Sequence, residues 1–348
     1  MKYRKKILSI IVLMGLAFGS YFVYLFGKTF FWDNTIFEEP KVYVFINEGD
    51  DFSKVISNMK PFLKSISYFS MAAQKKGYSS RVKSGKFKLL KGSNNNEIIN
   101  TLRGKSQTVR VTFNNQERLK NLAGRIAKQV APDSITLLKV FLDTEFLKAK
   151  GFTNENALGM YLPDSYDFFW NTTAEKFRDK MWRSYQDFWS DKRKKKAAAL
   201  GLSPLEVISL AAIVQKETQK ADERPRIAGV YLNRLKRKMM LQADPTVIYA
   251  MKLQLQNFDT VIKRVLYKDL KIKSPYNTYH YRGLPPGPIS MPDISSIKAV
   301  LNAEQHRYLY FVANPNNPGN HLFAKNAREH NRNKRIYTNW LDRNRIYR

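Results

Sequence analysis

The residue of this sequence best suited to acid–base chemistry is Glu217, a carboxylic acid at the end of an apolar helical pattern. Ser203, Pro204 and Glu206 predict the start of that helix, because they supply a cap, a proline at the first position and a capping-box glutamate. Helical spacing then places Leu210 on the same face as Glu217. Burial there disfavours the charged carboxylate and raises its pKa, as a general acid near neutral pH requires. The alternative is that Glu217 belongs to a frayed, solvated helix end.

Polar residues that could hold a substrate follow a second predicted amphipathic helix, which begins after Pro225. The stretch LQADPT at 241–246 predicts a polar loop, and it precedes an apolar segment. Further on come YNTY at 276–279 and GLPPGPI at 283–289.

The sequence resembles the catalytic domain of the endolytic murein transglycosylases, the YceG-like family. Five motifs, in this order, carry the resemblance: IVQKET (213–218), NRL (233–235), LQADPTVIY (241–249), YNTY and GLPPGPI. The resemblance implies cleavage within peptidoglycan strands, with the sugar's own C6 hydroxyl as nucleophile and a 1,6-anhydro-N-acetylmuramic acid end as product. One carboxyl group, Glu217, then acts twice, first as acid and then as base. The resemblance implies no cofactor.

The candidates for holding the substrate and the developing charge at C1 are Gln242, Asp244, Tyr276, Asn277 and Thr278. Asp244, just before Pro245, has an alternative interpretation as a turn or helix-cap residue. Glu206 is interpreted as a capping residue rather than a second acid. Asp222 and Glu223 are likewise interpreted as capping residues of the second helix.

An apolar run at 7–27 follows a short basic tail at 1–6 and is long enough to span a bilayer. The basic flank predicts a single-pass anchor in the cytoplasmic (inner) membrane, with the N-terminus in the cytoplasm and the remainder outside. A cleaved signal peptide is the alternative. The run continues past the small residues Gly19 and Ser20, which favours the uncleaved anchor.

We predict an α+β chain with that transmembrane helix, a linker at 28–40, a small LysM-like α/β module at 41–106, a connecting α/β region at 107–200 and a catalytic domain at 201–348. A strand–turn–helix pattern occurs three times between 42 and 130, as VYVFI-NEGDD-FSKVISNM, KFKLL-KGSNNN-EIINTL and TVRVTF-NNQERL-KNLAGRIAKQV. The first copy looks like a LysM-type glycan-binding module. A small support domain without glycan affinity is the alternative.

The rest of the pattern is coarser. Residues 133–200 are predicted to be mostly helical, with a basic helix face or linker at 191–196. The C-terminal part predicts a helix at 292–303, strands at 308–313 and 321–324, and a final helix to the chain end.

Sixty Lys and Arg residues against 29 Asp and Glu give a net charge of +31, which favours a polyanionic neighbourhood. Cysteine is absent, which excludes disulfides and a thiol nucleophile. The four histidines show no metal-ligand spacing, so no metal is predicted.

Three functions compete. The first is a membrane-anchored endolytic lytic transglycosylase, with peptidoglycan strands as substrate and peptidoglycan synthases as candidate partners. The second is a non-catalytic peptidoglycan-binding scaffold of the synthesis machinery. The third, a nucleic-acid binder, is supported by charge alone, and an exported domain without RNA-module motifs disfavours it. A hydrolytic muramidase, which needs a water and a second acid, stays open.

Overall fold

The computed structural model of the chain describes residues 2–262 and 264–344. The chain forms two compact units, Met1–Val111 with Gln129–Pro132 and Asp167–Thr173, and Thr112–Lys128 with Asp133–Tyr166 and Ala174–Arg348. We call them the N-terminal unit and the C-terminal unit. Their helices and strands confirm the predicted α+β class, while the domain boundaries given above stay predictions.

The first helix, α1 (Lys2–Phe30), contains the whole apolar run predicted at 7–27. Its large apolar side chains from Ile7 to Val23 are exposed. In the part of the chain that the structure describes, it is the one helix that by itself is long and apolar enough to cross a membrane. The predicted apolar helix is therefore confirmed, and its orientation stays a prediction.

The N-terminal unit is built on an antiparallel pair of strands with short helices against one face. Its elements are β1 (Lys41–Ile46), α2 (Phe52–Met59), a 3₁₀ turn (Lys60–Phe62), α3 (Ile66–Lys75), β2 (Gly85–Leu90) and α4 (Asn95–Arg103). β1 and β2 pair over their whole length. Alternate residues, Val44 and Ile46 on one strand and Phe87 and Leu89 on the other, are buried in the core, as expected for a sheet with one covered face.

The third strand–turn–helix copy consists of β3 (Thr108–Phe113) and α5 (Leu119–Ala127). All three predicted copies therefore form a strand followed by a helix, as β1–α2, β2–α4 and β3–α5. The sequence pattern did not predict α3, which separates the first two copies. β3 pairs with a later strand, β4 (Asp164–Phe169).

Helices dominate the segment after α5. They are α6 (Ser134–Phe141), α7 (Thr144–Ala149), a 3₁₀ turn (Ala157–Met160), α8 (Ala174–Phe188) and α9 (Asp191–Ala199). The predicted helical character of 133–200 is confirmed, and β4 is an addition to it. The predicted basic face at 191–196 lies on α9. Among the aromatic side chains of this segment, Tyr161 is buried and packs on Phe141, with ring centroids 4.8 Å apart.

The remaining elements of the C-terminal unit surround one buried helix, which positions the candidate acid. They are α10 (Pro204–Glu217), α11 (Arg224–Lys236), α12 (Asp244–Gln254), a 3₁₀ turn (Asp269–Lys271), α13 (Ile294–Leu301), β5 (Tyr310–Ala313), β6 (His321–Ala324) and α14 (Ala327–Arg343). α10 packs against α11, α12 and α13, and β5 pairs antiparallel with β6. The predicted C-terminal order of helix, two strands and helix is confirmed.

Some predicted boundaries are wrong. The polar loop predicted at 241–246 ends early, because α12 already begins at Asp244. Pro245 lies in the first helical turn, where a missing N–H costs no helical hydrogen bond. β5 begins at Tyr310, two residues later than predicted, and α13 is shorter than 292–303. The predicted continuation of the last helix over 345–348 lies outside the described residues.

Candidate active site

Glu217 is the last residue of α10, at the point where this helix leaves the core. Every residue of the helix from Val207 to Val214 is buried, so its position is fixed by packing on all sides. Ser203 and Glu206 form the predicted capping box, with reciprocal hydrogen bonds of 3.3 and 2.7 Å. Glu206 is therefore a capping residue, as predicted. Glu217 itself is half-buried.

The carboxyl group of Glu217 is held by a neighbouring phenol. The hydroxyl of Tyr231, on α11, donates a hydrogen bond of 2.6 Å to Glu217 Oε1. Burial raises the pKa of Glu217 to about 7, against the lowering effect of the Tyr231 hydrogen bond. The nearby negative charge of Asp244 raises this pKa further, while Arg234 lowers it. Near neutral pH, the carboxyl group therefore exchanges readily between its acid and base forms.

Glu217 opens on a cleft of about 350 Å³ within the C-terminal unit. The cleft is lined by Glu217, Tyr231, Arg234, Leu241, Gln242, Asp244, Tyr279, Tyr310, Phe311 and His330. Polar and aromatic side chains predominate in this lining. Such a surface suits a sugar, which presents hydroxyl groups at its edge and C–H groups on its faces.

Gln242 and Asp244 are the two predicted substrate-binding residues that line this cleft. Gln242 adopts a left-handed backbone conformation with φ of 49°, which is uncommon for a residue of its type. Its N–H donates to the carbonyl oxygen of Thr278 at 3.1 Å, and its side chain is exposed. Asp244 Oδ1 accepts a 2.6 Å hydrogen bond from the hydroxyl of Tyr279. A second carboxylate therefore lies in the same cleft as Glu217.

The other three predicted ligands, Tyr276, Asn277 and Thr278, are buried outside the cleft lining. The side-chain amide of Asn277 donates to two backbone carbonyls of the preceding loop at 2.8 and 2.9 Å. The hydroxyl of Thr278 accepts from the N–H of Ala243 at 3.0 Å. These contacts support a positioning role, in which YNTY holds the loop that carries Gln242. Direct contact of the three residues with a substrate stays a prediction.

Arg234 ties three parts of the cleft wall together from a buried position. Its Nε donates to the carbonyl oxygen of Leu309 at 2.6 Å, and its Nη1 donates to that of Leu241 at 2.7 Å. The guanidinium group also lies 5.2 Å from the ring centroid of Tyr310. Arg234, the central residue of the NRL motif, therefore joins α11 to the loop before α12 and to strand β5.

Glu223 corrects the sequence interpretation, which made it a helix cap. Its side chain makes no capping hydrogen bond at the start of α11. Instead this buried carboxylate accepts hydrogen bonds from the backbone N–H of His321 at 2.8 Å and binds His321 Nδ1 at 2.7 Å. Asp222 beside it is exposed. The pair fixes the β5–β6 hairpin, whose residue Phe311 packs edge-on against Tyr231.

Several cleft residues were not identified as functional from the sequence. Tyr231 fits an inward apolar face equally well, so its role as partner of Glu217 has no local signal. The remaining residues missed are Arg234, Tyr279, Tyr310, Phe311 and His330. Tyr279 is the last residue of the YNTY motif, whose other three residues were predicted to bind substrate, but its own hydroxyl group was not singled out. The Nδ1 atom of His330 is buried without a hydrogen-bond partner among the described residues.

This arrangement is suited to acid–base chemistry at Glu217, with Asp244 as a second carboxylate in the same cleft. A group whose pKa is close to the ambient pH can both give and take a proton in successive steps. Within residues 2–262 and 264–344, the structure contains no cluster of three His, Asp or Glu side chains suited to a metal ion.

Comparison with known proteins shows the family to which this chain belongs. A sequence profile of the YceG-like family matches residues 44–336, and the chain belongs to this family. An endolytic murein transglycosylase of Bacillus subtilis is 32% identical over 340 residues, covering 90% of this chain and 89% of the relative. One from Streptococcus pneumoniae is 32% identical over 185 residues, which is 52% of this chain and 32% of that relative.

A solved structure agrees with the family assignment. The crystal structure of a YceG-like protein from Listeria monocytogenes is 29% identical and superimposes with a TM-score of 0.55. The alignment covers 85% of this chain and 99% of that one. The similarity therefore extends well beyond the motifs around Glu217.

Proposed function

We propose that the protein cleaves within peptidoglycan strands as a membrane-anchored lytic transglycosylase, with Glu217 as its catalytic acid and base. Relatives that match nearly the whole chain or half of it carry the name endolytic murein transglycosylase, and the protein is an enzyme of this lyase class. The observation that supports the role of Glu217 is its position in the lining of a polar cleft, where Tyr231 donates a hydrogen bond to it and burial raises its pKa.

The proposed reaction begins at the β-1,4 bond between N-acetylmuramic acid and N-acetylglucosamine. Protonated Glu217 donates its proton to the glycosidic oxygen as the bond from that oxygen to C1 breaks. The resulting carboxylate then takes the proton of the C6 hydroxyl of the muramic acid residue while O6 bonds to C1. One bond is exchanged for another, no water is consumed, and Glu217 ends protonated as it began.

The surrounding residues would stabilise the charge that develops at C1. Asp244, held by Tyr279, places a negative charge near Glu217, which suits an oxocarbenium-like centre. The exposed side-chain amide of Gln242 is suited to the N-acetyl group or a ring hydroxyl. Tyr276, Asn277 and Thr278 would act by holding the wall that carries these two groups.

Hydrolysis by a muramidase is the second candidate, and Asp244 is the observation that favours it. Glycoside hydrolysis ordinarily uses two carboxyl groups, one as acid and the other as base or nucleophile. Both Glu217 and Asp244 line the cleft. The two reactions differ in their product, because hydrolysis leaves a reducing end and transglycosylation leaves an anhydro end.

The anchor and the N-terminal unit complete the proposal. We propose that α1 spans the inner membrane once, with residues 1–6 in the cytoplasm, and that peptidoglycan synthases are neighbours of the exported part. The LysM-like module at 41–106 would bind glycan. Its support is the exposed face of β1, where Tyr43 and Phe45 present aromatic rings beside Lys86. Tyr43→Ser should then weaken retention of the protein on insoluble murein.

The central experiment is a digest of purified glycan strands by the full chain in detergent, with the products read by mass spectrometry. Glu217→Gln keeps the shape of the side chain and removes its proton, and Lys236→Met, an exposed change at the end of α11, is the matched control. We expect internal fragments with anhydro ends from the wild type and the control, and none from Glu217→Gln. Bound but uncleaved strands with every form would favour the scaffold function.

A further inference from the structure

A second groove lies in the C-terminal unit beside the cleft of Glu217. One part, of about 360 Å³, is lined by the charged residues Glu117, Lys216, Lys252 and Asp259 and by apolar residues that include Tyr249 and Phe258. A second part, of about 320 Å³, shares Glu117, Lys216, Lys252 and Phe258, and adds Asn115, Gln116, Asn121 and Ser290. We call the whole the Lys216–Lys252 groove.

This groove begins next to the catalytic cleft. Lys216 lines the groove and Glu217 lines the cleft, although the two are consecutive residues of α10. In the same way Pro245 lines the groove and Asp244 the cleft. Because consecutive Cα atoms are about 3.8 Å apart, the backbone at 216–217 and at 244–245 borders both the groove and the cleft.

In the groove, the carboxylate of Glu117 forms ion pairs with the ammonium groups of Lys216 and Lys252. Lys216 Nζ donates to Glu117 Oε1 at 2.9 Å, and Lys252 Nζ donates to Oε2 at 2.7 Å. Burial by itself would raise the pKa of Glu117, but the hydrogen bonds from Lys252 and Lys216 hold it below its ordinary value. The carboxylate is therefore charged, and this trio carries a net charge of +1.

Both ammonium groups keep N–H bonds that Glu117 does not use. Each ammonium group has three N–H bonds, and Glu117 uses one from each lysine. Arg118, whose guanidinium group lies 4.7 Å from the ring centroid of Phe258, adds another positive charge nearby. The carboxylate of Asp259 lines the first part of the groove and is absent from the lining of the second part, which contains Ser290.

Ser290 supplies a second and independent observation. Its side chain is fully buried and lines the groove, yet its hydroxyl has no hydrogen-bond partner among the described residues. A buried hydroxyl without a partner is costly, and a ligand with polar groups would satisfy it. Tyr249, Ile248 and Phe258 form the apolar side of the same groove.

We propose that the Lys216–Lys252 groove binds the carboxylate-bearing peptide stem of the murein strand that is held in the catalytic cleft. This assignment rests on the proposed function. The lysines and Ser290 would bind a stem carboxylate, and the apolar side would pack against the aliphatic parts of the peptide. Since three extended residues span roughly 10 Å, a stem on a sugar near Glu217 is long enough to enter the groove.

Binding rather than cleavage tests this proposal, so that it does not depend on the reaction type. The full chain carrying Glu217→Gln, in detergent, is titrated against two labelled probes, glycan strands with their peptide stems and strands stripped of them. We expect the strands with stems to bind about tenfold or more tightly, as charged hydrogen bonds allow. Adding Lys252→Met, which keeps the aliphatic stem, should remove this advantage and leave binding of the stripped strands unchanged.

Two further variants sharpen the result. Lys252→Arg keeps the charge and should retain most of the preference for stems, and Lys236→Met should retain all of it. Equal affinity of the two probes would overturn the proposal. So would an equal loss for both probes with Lys252→Met, because the groove would then bind sugar or support the fold. If the stem preference holds while the wild type cleaves neither substrate, only the proposed reaction fails.

Discussion

The hydroxyl of Tyr231 lies 2.6 Å from Oε1 of Glu217 and donates a hydrogen bond to it. Burial raises the pKa of this carboxyl group to about 7, and the hydrogen bond from the phenol limits the rise. Without this donor the carboxyl group would be a weaker acid and would stay protonated at neutral pH. The hydrogen bond from Tyr231 therefore keeps the pKa of Glu217 in a range that suits both the acid step and the base step of the proposed reaction.

Tyr231→Phe should move the pH dependence of cleavage upward. The hydrogen bond stabilises the charged carboxylate, so its loss raises the pKa of Glu217 and keeps the acid protonated to higher pH. The alkaline limb of kcat/KM against pH should shift up by about one unit, since a hydrogen bond to a charged group contributes roughly 1.5 kcal/mol or more. Tyr267→Phe, at an exposed tyrosine, is the control and should leave the profile unchanged.

A downward shift, or no shift with an unchanged rate, would contradict the role of Tyr231 as the donor that limits this pKa.

The raised pKa also predicts how stability depends on pH. Between the unfolded value of 4.5 and the folded value of about 7, the native state binds the proton of Glu217 more tightly than the unfolded chain does. The contribution of this residue to stability therefore falls as pH rises through that window, and above it the native state bears the cost of a partly buried charge. Glu217→Gln should be more stable than the wild type by up to about 3 kcal/mol at pH 8 to 9.

The difference should shrink as the pH falls below 7 and vanish near pH 4.5. Thermal unfolding of both full chains in detergent, measured at several pH values, checks this. A difference that stays constant with pH would show that Glu217 is not shifted by burial.

Local sequence signals predicted many of the helices and strands, but not α3 or β4. They could not predict contacts between residues that are distant in the sequence. The start of α10 could be predicted because Ser203, Pro204 and Glu206 act within one turn. Pro245 is typical of the first turn of a helix, as it is in α12, but the polar residues around it led to the prediction of a loop. Glu223 was taken for a cap because its partner, His321, lies 98 residues later. No local pattern could supply that contact.

The same limit applies to the candidate site. Glu217 could be selected as a candidate because a carboxylic acid is unusual on the apolar face of a helix. Asn277 and Thr278 were chosen as polar residues in an unusual word, yet burial and hydrogen bonding to backbone make them supports of the cleft wall. Burial of a polar side chain depends on tertiary packing, which the spacing of residues does not encode.

Removing Glu223 should destabilise the hairpin that forms one wall of the cleft. Glu223→Ala leaves the backbone N–H of His321 without its acceptor, at an expected cost of about 2–3 kcal/mol in the free energy of unfolding. The adjacent Asp222→Ala, on an exposed side chain, should cost less than about 0.5 kcal/mol. Phe311 packs on Tyr231, so kcat should fall with Glu223→Ala and not with Asp222→Ala. Equal stability of the two variants would contradict this account.

Gly287 in the GLPPGPI word should tolerate no side chain. A Cβ atom there would lie 2.1 Å from the backbone carbonyl oxygen of Glu155, which cannot move aside cheaply. Gly283 differs, because its φ of +88° favours glycine but no heavy atom lies within 4 Å of the added carbon. We expect Gly287→Ala to cost about 3 kcal/mol and Gly283→Ala about 1 kcal/mol. Denaturant unfolding of the two variants tests this order, and a reversed order would refute the packing explanation.

The central claim is that Glu217 transfers the proton and that no water enters the product. Digestion of purified strands by the full chain in ¹⁸O-labelled water, followed by mass spectrometry of the new ends, tests it most directly. We predict anhydro-muramic acid ends without ¹⁸O from the wild type, and no new ends from Glu217→Gln. Reducing ends that carry ¹⁸O would contradict the claim and would identify the reaction as hydrolysis, with Asp244 as the first candidate for the second carboxyl group.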